Sequence, residues 1–188
     1  DSGNNRIIVL NKFYESIATI SSYRNSKTGK IETLKTPQGL YVTDPTKSVS
    51  GEKLIYVCDT GNLRIVVFDE NFNHVKTIEK PDSPILADGA FKPSSIAVDI
   101  YGRIFVVSTA SQEGVIVLSG DGDFTGFIGA QKVTPSILEA IWRRFQSEEQ
   151  RAAAERVLSS EFNNITINDD GFIYVPTSSI EESQVRAT

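Results

Sequence analysis

Sulfur and histidine are nearly absent from this chain. Its 188 residues hold one cysteine (Cys58), one histidine (His74), one tryptophan and no methionine. A lone cysteine can neither close a disulfide within the chain nor build a thiolate zinc cluster, and a lone histidine excludes a multi-histidine metal centre. No apolar run approaches the ~18–20 residues that a spanning helix needs. A basic excess is missing too: 19 Lys and Arg stand against 24 Asp and Glu, a formal net charge of −5, where a nucleic-acid surface would call for the opposite sign. What remains, 39% apolar and 23% charged residues, is the composition of an ordinary globular domain. The chain has no initiator methionine and no signal peptide, and its first six residues already belong to a motif that recurs later, so a mature chain or a piece cut in mid-repeat is expected.

Self-comparison at an offset of 58 aligns Asp1-Ser2-Gly3-Asn4-Asn5-Arg6-Ile7-Ile8-Val9-Leu10 with Asp59-Thr60-Gly61-Asn62-Leu63-Arg64-Ile65-Val66-Val67-Phe68. The register holds without a gap to Ile20 against Ile78, and eight of these twenty aligned positions are identical. A third copy, Gly114 to Leu118, keeps the apolar strand and loses the Asp and Arg. A second unit precedes each copy: 37–43, 93–99 and 163–168 are short runs of alternating character followed by a polar turn. Past that turn comes another strand, at 54–58, 104–107 and 172–175. Gly102 and Gly171 supply positive φ in two of these turns, and 47–53 forms a longer polar loop in the third. Each unit therefore reads as four short antiparallel strands, repeating every 50–70 residues, which is the pattern of a β-propeller blade. A single blade has two apolar faces and must stack on neighbours to bury them.

Asp-x-Gly-Asn-x-Arg-Ile at 1–7 and 59–65, preceded by 55–58 and 37–42, resembles the NHL repeat. The resemblance covers about residues 1–128 and resumes at 161–175; it extends to bacterial, chiefly clostridial, cell-envelope proteins of this type. It implies a propeller of about six blades and an extracytoplasmic location. Against that number the chain supplies about three blades' worth of strands, twelve in all. It starts at the third strand of one blade and stops after the second strand of another. The expectation is one partial propeller domain over 1–188, with the remaining blades supplied by the rest of a longer protein or by a second copy.

Between blades, the period changes over 134–158. Thr134 can cap, Pro135 suits a first turn, and Ile137, Leu138, Ile141, Trp142 and Phe145 share a helical face; Ser147 with Glu148-Glu149-Gln150 starts a second helix. A helical hairpin is expected here, its apolar face either packed on the propeller edge or rim or forming a docking surface or lid over the ring face.

The candidate binding residues are Asn4, Asn5, Arg6, Asn62 and Arg64, in turns between second and third strands. They either present donors to a protein, peptide or carbohydrate ligand, or hold the fold. In the latter case Asp59 bonds the turn amides, Gly61 takes positive φ and Arg64 bridges to a neighbouring blade. Asp99 and Asn168, with Thr43, occupy matching inner-strand positions. In a metal-dependent lactonase or lyase propeller such positions would hold a divalent ion in the central channel. The loop 120–123 lacks the further ligands of a calcium loop and reads as a turn. His74 is expected to be exposed and Cys58 buried. No nucleophile elbow or second histidine supports hydrolase chemistry. The leading expectation is a non-catalytic binding or scaffold module without a cofactor; the metal-dependent enzyme is the alternative.

Overall fold

The structure is a computed structural model that describes residues 1–86, 88–111, 113–129 and 161–178; the expected helical hairpin at 134–158 lies outside them. The described chain is built from antiparallel β-sheets in sequence order. Sheet 1 is the pair β1 (Ile7–Leu10) and β2 (Ser16–Ile20). A small hairpin follows, β3 (Ser22–Arg24) with β4 (Ile31–Thr33). Sheet 2 has four strands in the order β5 (Leu40–Val42), β6 (Ile55–Asp59), β7 (Arg64–Phe68) and β8 (His74–Ile78). Sheet 3 repeats it with β9 (Pro93–Val98), β10 (Ile104–Ser108), β11 (Val115–Leu118) and β12 (Phe124–Ile128). Two separate short pairs follow, grouped as sheet 4. β13 (Glu161–Phe162) pairs with β16 (Thr177–Ser178), and β14 (Thr166–Ile167) with β15 (Ile173–Tyr174). Among the described residues a two-stranded pair and the β3–β4 hairpin precede the first four-stranded sheet, and the short β13–β16 and β14–β15 pairs follow the second. The β3–β4 hairpin was not expected.

Period-2 alternation explains how the sheets stack. In β6 every residue is buried, yet successive side chains serve different cores. Tyr56 and Cys58, with Ile65 and Val67 of β7, pack on Ile96, Val98, Ile104 and Val106 of sheet 3. Ile55 and Val57, with Val66 and Phe68, pack the other way, on Ile7, Val9 and Ile20 of sheet 1. Sheet 3 does the same, turning Ala97, Phe105, Val107 and Val115 toward Ile165, Ile167 and Ile173 of sheet 4. Sheets 2 and 3 are thus covered on both faces, and Cys58 sits fully buried among apolar neighbours. Burial pushes its thiol pKa up, so it acts as a small hydrophobe. The outward faces of the end sheets are different: Ile8, Leu10 and Ile17 of sheet 1 and Phe172 and Tyr174 at sheet 4 are exposed.

One turn design closes five hairpins. Asn11, Asp69, Asp99, Ser119 and Asn168 each receive, on a side-chain oxygen, the amides of the second and fourth residues that follow. The third residue after each donates its amide back to the backbone carbonyl of the first and takes a left-handed conformation: Tyr14 (φ 63°), Phe72 (φ 64°), Gly102 (φ 82°), Gly122 (φ 99°) and Gly171 (φ 84°). This is the three-residue hairpin with a left-handed bulge residue. The loop 120–123 belongs to one of these turns, as expected. Two turns fill the left-handed site with an aromatic residue, at a steric cost that glycine avoids.

Close approach, not dihedral freedom, demands glycine at Gly39. A Cβ there would lie 2.6 Å from the Ser94 carbonyl oxygen and 2.7 Å from Ser95 Cα, so the first strands of sheets 2 and 3 meet backbone to backbone. Gly39→Ala should cost about 2 kcal/mol by wedging them apart. Tyr14→Gly should instead add about 0.5–1 kcal/mol, because Tyr14 is 85% exposed and loses only its strain. The matching change at Phe72, which packs on a core, should not stabilise. Urea unfolding of the three variants checks all of these.

Candidate functional site

The Asp-x-Gly-Asn-x-Arg turns are built inward. Asp59 is fully buried, with one carboxylate oxygen accepting the Lys35 amide at 2.6 Å. The other accepts Asn62 Nδ2 and Arg64 Nε, each at 2.8 Å. Arg64 continues to Glu32 Oε2 at 2.5 Å and to the Thr33 carbonyl at 3.3 Å. Asn62 also donates to the Thr33 carbonyl. Arg64 therefore bridges sheet 2 to β4, the expected linking role with a hairpin as its target. Two details of the expected turn are corrected. Asp59 bonds the Lys35 amide and two side chains in place of the turn amides, because its carboxylate points toward the preceding link. The left-handed residue is Leu63 (φ 57°), not Gly61; Gly61 is required because a Cβ would meet the Lys35 carbonyl oxygen at 2.7 Å.

The first copy repeats the scheme more openly. Asp1 accepts Asn4 Nδ2 at 2.9 Å and Arg6 Nε at 2.7 Å. Asn5 is left-handed, and its Oδ1 accepts the Thr36 amide at 2.7 Å. Ser2 and Thr60 donate to equivalent carbonyls, Pro37 at 2.5 Å and Pro93 at 2.7 Å, so each turn is tied to the next sheet. In sheet 3 the neutral Ser108 takes the place of Asp59: its hydroxyl accepts the Lys92 amide at 2.8 Å and donates to the Ala90 carbonyl at 2.5 Å. With no buried acid there, no arginine is called for.

Glu32 extends this network. Burial pushes its pKa up, but hydrogen bonds from Arg64, Asn25 and Tyr23 outweigh that and hold it below its ordinary 4.5. The Tyr23 ring lies edge-on to Phe68 and flat against His74, 5.1 Å between centroids. His74 is buried, contrary to expectation, because the β3–β4 hairpin folds over it. Its Nδ1 accepts the Ser26 amide at 3.0 Å. That fixes the neutral tautomer, with Nε2–H facing Thr77 Oγ1 at 2.9 Å.

A concave site lies elsewhere. In an antiparallel meander, turns between strands one and two leave the sheet at the edge opposite those between strands two and three. Asn4, Asn5, Arg6, Asn62 and Arg64 therefore share one edge, and Thr43, Asp99 and Asn168 the other. On that second edge sheets 2, 3 and 4 enclose a pocket of about 260 Å³. Val98, Phe105, Ile167 and Ile173 form its apolar part. The long loop of sheet 2 crosses the turn of sheet 3, with the Val49 amide on the Ile100 carbonyl at 2.8 Å. It reaches the turn of sheet 4, where Lys47 Nζ meets Asp169 Oδ1 at 2.6 Å. That hydrogen bond raises the Lys47 pKa. The Tyr41 phenol borders the pocket with its pKa raised by burial and by the Asp169 and Asp99 carboxylates. Tyr101, 71% exposed, stands on the lining.

Thr43, Asp99 and Asn168 do converge on this pocket, but their oxygens are engaged. Asp99 holds two amides of its turn and Arg103 Nε at 2.6 Å. Asn168 Oδ1 holds two amides, and Thr43 Oγ1 donates to the Glu52 carbonyl and accepts the Leu54 amide. No cluster of three His, Cys, Asp or Glu side chains able to hold a metal occurs among the described residues, and no described helix is long and apolar enough to cross a membrane. No protein-family model and no curated protein matches the chain.

Two outcomes follow. Arg64→Ala leaves the buried Asp59 charge without its cation and should cost about 3 kcal/mol or more, read by urea unfolding. For His74, burial lowers the pKa below its ordinary 6.5, with Arg64 and Lys27 lowering it further and Glu32 opposing. The unfolded chain then binds the proton first, so the stability contributed is present above pH 6.5 and lost as pH falls through the depressed folded value. Melting measured between pH 7.5 and 5 should fall more steeply for the native chain than for His74→Gln.

Proposed function

We propose that the chain is part of an NHL-type β-propeller acting as a non-catalytic binding module outside the cytoplasm, and that its ligand sits in the pocket shared by sheets 2, 3 and 4. The propeller reading is supported by the sequential stacking of four-stranded sheets built from one repeat, and the NHL type by the Asp-x-Gly-Asn-x-Arg turns; the location follows from that resemblance alone. The observation that carries the binding reading is the contrast between the two edges. On one, Asn5, Asn62 and Arg64 tie their turns to neighbouring segments, and Asn4 and Arg6 bond Asp1 within their own turn. On the other, three sheets leave a concavity with an apolar interior and a polar wall, the usual make-up of a small-ligand site. The metal-dependent enzyme gains no support, since Asp99 and Asn168 already serve as turn acceptors. A protein, peptide or carbohydrate remains the class of partner, bound by a surface of this chain or by the larger ring it belongs to.

Melting-temperature screening of the whole chain against peptide and glycan panels tests this. A ligand that stabilises the native chain should lose its effect in Tyr101→Ala and Lys47→Ala and keep it in Arg6→Ala. The reverse pattern would move the seat to the opposite edge and overturn the proposal.

A further inference from the structure

We propose that the pocket between sheets 2, 3 and 4 takes one neutral pyranose ring; this rests on the reading of that pocket as the ligand seat. Size is the first constraint. At about 260 Å³ the pocket falls just short of the ~300 Å³ at which sites for drug-sized ligands begin, so it suits a single small ring and not an extended chain.

Charge is the second constraint. The cations on the wall are matched within the protein: Lys47 is paired with Asp169 at 2.6 Å and Arg103 with Asp99 at 2.6 Å. An anionic ligand would have to break one of these pairs or go unmatched beside it, and a cation would have only Asp44 and Asp170 to meet. Asp44 and Asp170 lie at the exposed margin, where water screens them. A ring of hydroxyls meets no such obstacle. Each hydroxyl both donates and accepts, and the wall offers the Lys47 ammonium and Arg103 guanidinium as donors and the Asp169 carboxylate as acceptor. The Tyr41 phenol, which can play either part, lies among them.

Ring faces are the third. A pyranose presents an apolar face of C–H groups, and Tyr101 presents an aromatic face that is 71% exposed and held at the second position after Asp99 by its amide bond to Oδ1 at 3.0 Å. Stacking one on the other buries both while the hydroxyl edges stay on the polar wall. Tyr101 is then a positioning surface at the mouth, and the apolar interior of Val98 and Ile167 receives the ring's opposite face.

The test is an amide NMR titration of the full chain. Separate arms use glucose, galactose and N-acetylglucosamine as neutral probes, Nα-acetyl-lysinamide as a cation and acetate as an anion. At least one neutral sugar should give saturable shifts confined to 41–44, 99–103 and 168–172, with a Kd of about 1 mM as befits so few atoms. Tyr101→Ala, whose side chain is exposed, should keep the rest of the spectrum and weaken that binding at least about tenfold, a change of about 1.4 kcal/mol. Shifts in these segments from a charged probe alone would overturn the neutral ring and leave the pocket as the ligand seat. Sugar binding that Tyr101→Ala leaves intact would overturn the stacked arrangement and with it the inference. Silence of the pocket toward every probe would count against both readings.

Discussion

The stack rests on one requirement: a strand that is apolar on both of its faces needs its sheet covered by a neighbour on each side. β6 and β7 show it most plainly, since Ile55, Val57, Val66 and Phe68 belong to one core and Tyr56, Cys58, Ile65 and Val67 to the next. The cores are therefore not inside the sheets' own repeat unit but between units. Order along the stack follows directly, because each sheet is the wall of two cores. The pocket follows too: it forms where the first strands of three successive sheets end together and their turns diverge.

Polar side chains serve the same stack in two distinct ways. Short acceptors such as Asn11, Asp69 and Ser119 close hairpins within a sheet by collecting turn amides. Longer-range ones join separate segments: Asp59 reaches the Lys35 amide, Asn5 the Thr36 amide, and Ser95 Oγ the Asn164 side chain at 2.6 Å. Both groups look, in a list of residues, like ligands for something else. Their engagement explains why chemistry of the bound-metal kind finds no free oxygen at Asp99 or Asn168, whereas the pocket beside them still offers hydroxyl, ammonium and ring surfaces.

The strands, their four-per-unit grouping, the two-faced burial and the hidden Cys58 were legible in the sequence because they rest on short apolar runs and on a repeat. What was not legible depended on distant partners. β3 and β4 are three residues each, mostly polar, and carry no alternation long enough to read; Tyr23, buried against Phe68 and His74, and the Arg64 bonds to Glu32 and Thr33 give the hairpin its place. His74 looked exposed because it directly follows a polar turn, while the group that covers it, Ser26, is 48 residues earlier. Gly61 carried a true signal with the wrong cause: glycine is needed for the approach of Lys35, and the positive φ falls on Leu63. The candidate binding residues lie in equivalent turns, but sequence alone does not reveal that Asn5, Asn62 and Arg64 are bonded to neighbouring segments.

The difference between Asp59 and Ser108 bears on how such repeats diverge. Both occupy the end of the second strand and receive a backbone amide from the preceding link, yet one brings an arginine with it and the other does not. A lineage passing from the first arrangement to the second has two possible orders of change, and they are unequal. Losing the acid first leaves Arg64 beside Glu32 and water; losing the arginine first strands a carboxylate in an apolar interior. Repeats of this kind are thus expected to travel by way of an intermediate that keeps its arginine, so that an orphaned Arg, rather than an orphaned Asp, would be the fossil of a repeat caught in transition.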